Sequence, residues 1–331
     1  GPAGTAVTGA EGRADQLVPH VRKSAKLVLT FYAVYGVLIT GLYAIFGMNL
    51  FDAVNHACAA VSTGGFSTRP ESIGHWNSPA LEAVSILGML LGQTSFVTAY
   101  LAATGNFKAA VRDGEVQYTA VAGTVSAAIL LLGVTGCLYP TLGESVRVAV
   151  FEVASALTTT GFSTVTYSDW NALGIGVLML LMFVGGGTYS TAGGLKQYRA
   201  YLLGKALMWE IRRSLLPSKA VEENYLWNGG RKVYIRDDHV RQVAVFSFLY
   251  VAGLAIGTGI LAAHGYSLPD AAFEFASAQG TVGLSVGVTR ADAPSGVLWV
   301  LILGMFLGRL EFLVVLTGAA TVVRDLLRLI R

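Results

Sequence analysis

Charge is scarce in this sequence. Of its 331 residues only 13% are Asp, Glu, Lys or Arg, whereas 53% are hydrophobic, and the mean hydropathy is +0.58. Soluble domains carry about 25% charged residues, so roughly half of the usual surface charge is missing. This scarcity argues against a soluble globular protein and predicts an integral membrane protein.

Cysteine and clusters of catalytic side chains are scarce as well. The two cysteines, Cys58 and Cys137, lie in apolar stretches, and we interpret them as small packing residues, not as a disulfide or metal pair. The five histidines are scattered and match no ligand spacing. We find no pair of intramembrane carboxylates, no His/Glu metal set and no Ser–His pair. The sequence therefore argues against an enzyme, and we expect no organic cofactor in this chain.

The positive charges are few and clustered. They gather near the amino terminus, in the stretch 196–241 and at the carboxyl terminus, and the formal net charge is only +3. Lys and Arg concentrate in the cytoplasmic segments of membrane proteins, so we expect these three regions in the cytoplasm. The sequence thus predicts a multi-pass protein of the cytoplasmic (inner) membrane, in contact with membrane lipid and without a nucleic-acid partner.

Apolar runs of two lengths alternate along the chain. Six runs are near the ~20 residues that cross a bilayer, the fourth of them interrupted: 27–47, 79–103, 119–138, 170–213, 243–263 and 297–320. Each successive pair encloses a shorter piece, at 50–61, 144–157 and 268–278. These pieces are too short to span, and we predict re-entrant half-helices.

Each short piece is followed by a segment rich in threonine and glycine: "STGGFST" (62–68), "TTTGFST" (158–164) and "GTVGLSV" (280–286). Residues 151–164 and 273–286 agree at eight of fourteen positions, and 55–68 agrees with 151–164 at six. The pattern predicts an all-α membrane protein built from tandem repeats of span, half-helix, Thr/Gly loop and span, occurring three times.

The Thr/Gly loops can offer oxygen atoms to a cation. Extended backbone at membrane depth is tolerated where it lines a watery cavity, and a ring of carbonyl oxygens can replace the hydration shell of a monovalent ion. Glycine lets the backbone expose carbonyls, and threonine adds a hydroxyl. We therefore expect a cation filter made by the backbone of nine residues: Thr63, Gly64, Gly65, Thr159, Thr160, Gly161, Thr281, Val282 and Gly283.

The segment "TVGLS" (281–285) closely resembles the TVGYG filter of potassium channels. The whole pattern resembles the Trk/Ktr/HKT superfamily of potassium transporters, most closely its TrkH-type bacterial potassium uptake subunits. The resemblance covers nearly the entire chain and rests on ordered motifs: "FDAVNHACAAVSTGGFSTRPESIGHWNSP" (51–79), "TTTGFST", "FVGGGTYSTAGGLKQYR" (183–199), "GTVGLS" and "GRLEFLVVL" (308–316).

This resemblance implies four repeats around one potassium-channel-like pore with pseudo-fourfold symmetry. Three repeats are present here, and the chain opens with the polar stretch "GPAGTAVTGAEG" without an initiator Met, so we expect the first repeat upstream. The implied division is a cytoplasmic linker (1–26), the second repeat (27–112), the third repeat with its broken second span (113–215), a cytoplasmic loop (216–242) and the fourth repeat (243–331).

The fourth apolar run is broken by "GGGTYSTAGG", and we expect a functional break there because glycines at this density do not hold a helix. The resemblance implies a gate beneath the filter. It comprises Gly185, Gly186, Gly187, Thr188, Tyr189, Ser190, Thr191, Ala192, Gly193 and Gly194. Lys196, just past the break, is expected in the cytoplasm.

Three of the charged residues inside the apolar stretches bear on function: Arg309, Glu152 and Glu274. Arg309 is costly at bilayer depth and should face a cavity or a partner, which we expect to be a loop carbonyl and not Glu311, because i,i+2 positions do not face each other on a helix. The resemblance implies that Arg309 is a positive barrier in the pore. Glu152 and Glu274 occupy matching positions in two half-helices, and we expect them to brace the filter through hydrogen bonds.

Function and partners follow from the resemblance as expectations. It implies potassium uptake, a homodimer, and a cytoplasmic nucleotide-binding regulator of the RCK type, similar to TrkA, docking near residues 205–241. K⁺ is then the transported ion. Gly64 stands where the third repeat has Thr160, so a sodium-permeable or non-selective transporter stays open, as does a non-conducting sensor. The residues do not decide between a channel and a proton- or sodium-coupled symporter.

Overall fold

The computed structural model describes residues 21–217, 223–290, 292–310 and 312–330. Most of the expected linker 1–26, part of the loop 216–242 and Glu311 therefore lie outside the described residues. The described chain is mainly helical. Its helices are α1 (Val21–Ile45), α2 (Leu50–Val61), α3 (Pro79–Gln93), α4 (Phe96–Ala103), α5 (Phe107–Val111), α6 (Gly114–Leu138), α7 (Leu142–Leu157), α8 (Ala172–Val184), α9 (Gln197–Leu215), α10 (Asp237–Ala263), α11 (Leu268–Gln279), α12 (Ser295–Leu310) and α13 (Phe312–Ile330).

The helices form three similar units. In the first, α1, α2 and α3 pack against one another; α6, α7 and α8 do so in the second, and α10, α11 and α12 in the third. Neighbouring units pack in the same way. The last helix of each unit lies against the half-helix of the next, α3 on α7 and α8 on α11. The short middle helices α2, α7 and α11 are the half-helices of these units.

Each half-helix starts with the same local chemistry. The side chains of Asn49, Thr141 and Ser267 accept hydrogen bonds from the backbone N–H three residues on, where Asp52, Glu144 and Asp270 stand. An oxygen at the N-cap satisfies an orphan N–H group, and an acid in the first turn interacts favourably with the helix dipole. The pattern Asn/Ser/Thr-x-x-Asp/Glu therefore fixes where all three half-helices begin.

Only some of the helices are long enough to cross a membrane. Among the described residues, three helices are long and apolar enough to cross a membrane, or up to five if each bent pair is one span. The run predicted at 79–103 is not continuous, because α3 and α4 meet at 107°. The fourth run is interrupted as expected: α8 ends at Val184 and α9 begins at Gln197.

Two further features depart from the sequence-based expectations. The stretch 216–242, expected to be a loop, contains an antiparallel hairpin, β1 (Tyr225–Asn228) and β2 (Arg231–Tyr234), whereas the other regular elements of the described chain are helices. The interpretation of Cys58 and Cys137 as packing residues is wrong, because both are exposed. The buried face of α2 carries Ala57 and Ala60 instead of Cys58.

Candidate functional site

Three threonine–glycine segments, 63–65, 159–161 and 281–283, follow the three half-helices and share one backbone conformation. The first residue of each is a threonine in the left-handed region, with φ of 49°, 53° and 54°. The third is a glycine with φ of 66°, 88° and 102°. The middle residue keeps a negative φ, so handedness alternates along each segment. Alternating handedness of this kind can turn successive carbonyl groups toward one side, and ion filters are built from rings of such carbonyls.

The threonines end the half-helices. The N–H of Thr159 binds the carbonyl of Ala156, and the N–H of Thr160 binds that of Ser155. The same two bonds recur at the ends of α2 and α11. This is a helix C-cap whose left-handed position is usually glycine, and here it is threonine three times. A non-glycine residue in that region carries a strain of roughly 1–2 kcal/mol, so something other than helix termination favours the hydroxyl.

The segments lie side by side in chain order. A Cβ placed on Gly65 would come within 2.0 Å of the carbonyl oxygen of Thr160, and one on Gly161 within 2.0 Å of that of Val282. Each of these two glycines therefore faces the middle carbonyl of the next segment, and no larger residue fits. A Cβ on Gly283 would meet no described atom within 4 Å.

The glycine-rich loop (185–194) lies against the threonines of all three segments. The hydroxyl of Thr63 is 3.2 Å from that of Thr191, and the hydroxyl of Thr159 accepts a hydrogen bond of 2.7 Å from the N–H of Gly193. A Cβ on Gly193 would lie 2.2 Å from the hydroxyl oxygen of Thr281. The loop thus covers the half-helix side of the segments, and its glycines permit that close approach.

Two cations hold this loop through its carbonyl groups. Arg309 donates from Nη1 to the carbonyl oxygen of Thr191 at 2.8 Å. A loop carbonyl is thus a partner of Arg309, and Glu311 lies outside the described residues. Lys196, which we expected in the cytoplasm, donates from Nζ to the carbonyl oxygen of Ala192 at 2.6 Å. Its place two residues after the glycines was the signal in the sequence that it belongs to the loop.

Buried side chains connect each half-helix to the chain beyond its segment. Glu152 accepts hydrogen bonds of 2.9 Å from the N–H and the hydroxyl of Thr164. Glu274 accepts from the hydroxyl of Ser285 at 2.8 Å and from the N–H of Thr289 at 2.9 Å. Both glutamates are buried, at 0% and 3% exposure. Each therefore fixes the turn that leaves its threonine–glycine segment.

His56 fills the same place in the first unit, and the sequence reasoning missed it. It aligns with Glu152 when the segment glycines are superposed. Its ring is fully buried, with Nε2 2.9 Å from the hydroxyl of Ser67 and Nδ1 2.8 Å from the carbonyl oxygen of Asp52. The signal for this role is the position of His56 in the repeat, because metal-ligand spacing does not reveal a histidine that acts alone.

The chemistry available here is coordination by oxygen. Among the described residues no three His, Cys, Asp or Glu side chains are grouped so that they could hold a resident metal ion. The segments present uncharged backbone carbonyls and threonine hydroxyls in series. Neutral oxygens in a ring suit a monovalent cation that exchanges rapidly.

Comparisons with known proteins agree with this geometry. The TrkH family profile, described as cation transport protein, matches residues 6–108 and 118–325. The chain is 32% identical over 316 residues to the Trk system potassium uptake protein TrkI of Halomonas elongata, covering 91% of this chain and 62% of that protein. It is 28% identical over 321 residues to an uncharacterised cation transporter of Methanocaldococcus jannaschii, covering 97% and 64%. The chain thus spans less than two thirds of these relatives.

A solved structure has the same fold. The crystal structure of the potassium transporter TrkH from Vibrio parahaemolyticus superposes with a TM-score of 0.84 at 24% sequence identity, covering 95% of this chain and 67% of that one. The family consists of cation transporters and not of enzymes, and the apolar helices of this chain make it a multi-pass integral membrane protein. The profile match over nearly the whole length establishes that the chain belongs to the TrkH family of cation transport proteins.

Proposed function

We propose that this protein carries potassium across the cytoplasmic membrane through a filter made by the three threonine–glycine segments. The carbonyl groups of residues 63–65, 159–161 and 281–283 coordinate the ion, and Glu152, Glu274 and His56 brace the turns beyond them. One observation carries the proposal: three segments distant in sequence share one strained backbone and lie side by side. The relatives named as potassium uptake proteins support K⁺ as the transported ion.

The glycine-rich loop and Arg309 regulate the passage. The loop contacts the threonine hydroxyls at the half-helix end of the filter, where it would obstruct an ion leaving toward the cytoplasm. Arg309 holds the loop through Thr191 and adds a positive charge to the same region. An ion can pass when the loop moves away, so loop position sets the flux.

A complete pore needs a fourth segment beside Gly283. Gly65 and Gly161 each face a carbonyl of the next segment, whereas Gly283 faces no described atom within 4 Å. The resemblance implies that another repeat of the family supplies this side, with 27–112, 113–215 and 243–331 as the remaining three. It also implies a homodimer regulated by a cytoplasmic RCK-type, TrkA-like ring, in keeping with the name "Trk system" of the relatives.

Gly64 favours a second candidate, a sodium-permeable transporter of the same fold. It stands where the second and third segments have Thr160 and Val282. The side chains at the other two middle positions are buried, at 0% and 2% exposure, whereas Gly64 has none to pack behind its carbonyl. A filter that is less firmly held on one side adapts more easily to the smaller ion.

The first experiment is cation flux into liposomes that contain the full-length protein, with K⁺ compared to Na⁺. Gly161→Ala places a methyl group on the carbonyl of Val282, and we expect it to abolish K⁺ preference or to lower K⁺ flux at least about ten-fold, a loss of about 1.4 kcal/mol. Gly47→Ala is the matched control, since Gly47 also has a positive φ, of 99°, but no atom of the described residues lies within 4 Å of the added carbon.

The outcomes separate the candidates. Flux that prefers K⁺ in the parent and in Gly47→Ala, but not in Gly161→Ala, supports the filter. Equal flux of the two ions in the parent favours the sodium-permeable transporter. No flux from folded protein, with or without a cytoplasmic regulator, would contradict both and favour a non-conducting sensor.

A further inference from the structure

The glycine-rich loop is held by a residue outside the site described so far. Glu115, in the first turn of α6, accepts a hydrogen bond of 2.7 Å from the N–H of Thr188 in the middle of the loop. A Cβ on Gly187 would lie 3.4 Å from its second carboxylate oxygen. The carboxylate therefore lies directly against the backbone of the loop.

The same helix end is tied to the cytoplasmic hairpin. Asp113 is the N-cap of α6: its Oδ1 accepts from the N–H of Glu115 at 3.0 Å, while its Oδ2 accepts from the N–H of Gly229 at 2.8 Å. Gly229 and Gly230 form the tip of the hairpin, with φ of 56° and 75°. Positive φ at both central residues is the signature of a tight type I′ turn, so the donor is held at a defined place.

Further contacts make the hairpin a firm partner of this helix end. Gly230 packs so closely on Ala109 that a Cβ would come within 2.5 Å of the alanine methyl. The guanidinium of Arg112 lies 5.8 Å from the centre of the Trp227 ring. Leu226 of β1 is buried with Leu202 and Val243, from α9 and α10. The hairpin therefore cannot shift without disturbing the contacts that hold the start of α6.

We propose that Asp113 and Glu115 are positioning residues that link the cytoplasmic hairpin to the glycine-rich loop: Glu115 holds the loop across the pore, and Asp113 couples that hold to the hairpin. The inference rests on the proposed role of the loop as a gate. Two carboxylates at the start of α6, Asp113 at the N-cap and Glu115 in the first turn, thereby connect the cytoplasmic surface to the cytoplasmic end of the filter. A cytoplasmic protein that displaces the hairpin would release the loop through this link.

The test measures loop release separately from ion flux. Ser190 in the loop is changed to Cys in the full-length protein, in a background in which every other cysteine is Ser. The rate of modification by a charged maleimide from the cytoplasmic side then reports how often the loop opens. We expect Glu115→Ala to raise this rate about ten-fold, the equivalent of about 1.4 kcal/mol. K⁺ flux in liposomes should rise in parallel.

Conservative variants distinguish the link from a general structural role. Glu115→Gln keeps an oxygen that can accept from Thr188, so its rate should stay within about three-fold of the parent, under 1 kcal/mol. Asp113→Asn keeps one oxygen to cap α6 but loses the second, which binds the hairpin, and should raise the rate. Adding Asp113→Asn to Glu115→Ala should raise it no further, because both act through one contact.

Glu144→Ala is the control, since Glu144 is also a first-turn glutamate but stands at the opposite end of half-helix α7 from the threonine–glycine segment. An unchanged rate in folded Glu115→Ala would overturn the proposal, as would independent, multiplying effects of the two changes. Altered modification rates in a protein that passes no cation would support the link while contradicting the proposed transport. Normal K⁺ flux with unaltered modification rates would contradict the link and support the proposed transport.

Discussion

The three left-handed threonines are residues at which local preference and native conformation disagree. Thr63, Thr159 and Thr281 each carry strain that glycine would relieve, yet each keeps its hydroxyl beside the glycine-rich loop. Strained residues of this kind persist where the surroundings determine them and function needs them. Their repetition at three equivalent sites is the strongest argument for a shared role.

A prediction at the scale of single residues concerns the substitution of His56. We expect His56→Ala to lower the free energy of unfolding by about 2 kcal/mol, because it removes the contact with Ser67 and leaves space beside Trp76 and Phe162. It should also lower the ratio of K⁺ to Na⁺ flux, since the turn after residues 63–65 loses its brace. Denaturation in detergent and paired flux measurements check the two effects.

Two further variants test the interpretation of His56. His56→Gln can still bond Ser67 and should retain most of the flux ratio. His75→Ala removes a histidine that is 42% exposed and should change neither quantity. If His56→Ala destabilises the protein but leaves the ratio of the remaining folded protein unchanged, His56 serves packing alone.

At the scale of elements, packing and an ion pair to a buried carboxylate join the first two units. Arg147 of half-helix α7 lies 3.2 Å, from Nε to Oε2, from Glu82 of α3, and its Nη2 donates to the side-chain oxygen of Asn77 at 2.7 Å. The Glu82 side chain is 3% exposed. This pair crosses the junction between the first two units, where α3 packs on α7.

Removing one member should therefore weaken the junction. We expect Arg147→Ala to lower the free energy of unfolding by about 3 kcal/mol, because it leaves a buried carboxylate without its counter-ion. Thermal denaturation in detergent measures the effect. Combining it with Glu82→Gln should recover part of the loss, whereas Arg290→Ala, at an exposed arginine in the third unit, should have little effect. Equal stability of Arg147→Ala and the parent would contradict the argument.

At the scale of the whole molecule, the proposed pore requires the three units to place their segments around one axis, and we expect the basic stretches on one side of the membrane. In our proposal the hairpin and α9, which carry many of the basic residues, face the cytoplasm, and residues 69–77 face the opposite side of the membrane. The positive-inside rule supports this orientation.

Labelling from each side of the membrane tests the orientation. A single cysteine in place of Glu71, whose side chain is 65% exposed, should react with an impermeant maleimide added to intact cells. A cysteine in place of Lys232, an exposed residue of β2, should react only after the membrane is permeabilised. Cys58 and Cys137, both exposed, are first changed to Ser. Reaction of the Lys232 position in intact cells would invert the topology.

Some elements were predictable from local pattern because local physics decides them. The half-helix α2 lies at 50–61 as expected, and α11 extends only one residue beyond the predicted end at 278. The capping residues at the start of each half-helix and the threonine–glycine segment at its end lie within a few residues of the helix termini that they determine. The helix break after Val184 was also predictable from the sequence, because glycines at that density destabilise a helix.

Other features depended on contacts that the chain makes only when folded. The bend between α3 and α4 accommodates the loop, since the N–H of Phe96 binds the carbonyl of Tyr189, a residue far along the chain. The hairpin tip finds its acceptor in Asp113, over a hundred residues earlier. Neither partner can be inferred from the residues around Phe96 or Gly229.

The sequence by itself determined the membrane setting, the three repeats and the backbone chemistry of the threonine–glycine segments, because hydropathy, capping and glycine content act locally. Tertiary structure alone decided which carbonyl faces which glycine, that the loop touches all three threonines, and that Glu115 holds it. Those contacts join residues distant in the chain, and their geometry arises only when the three units pack together.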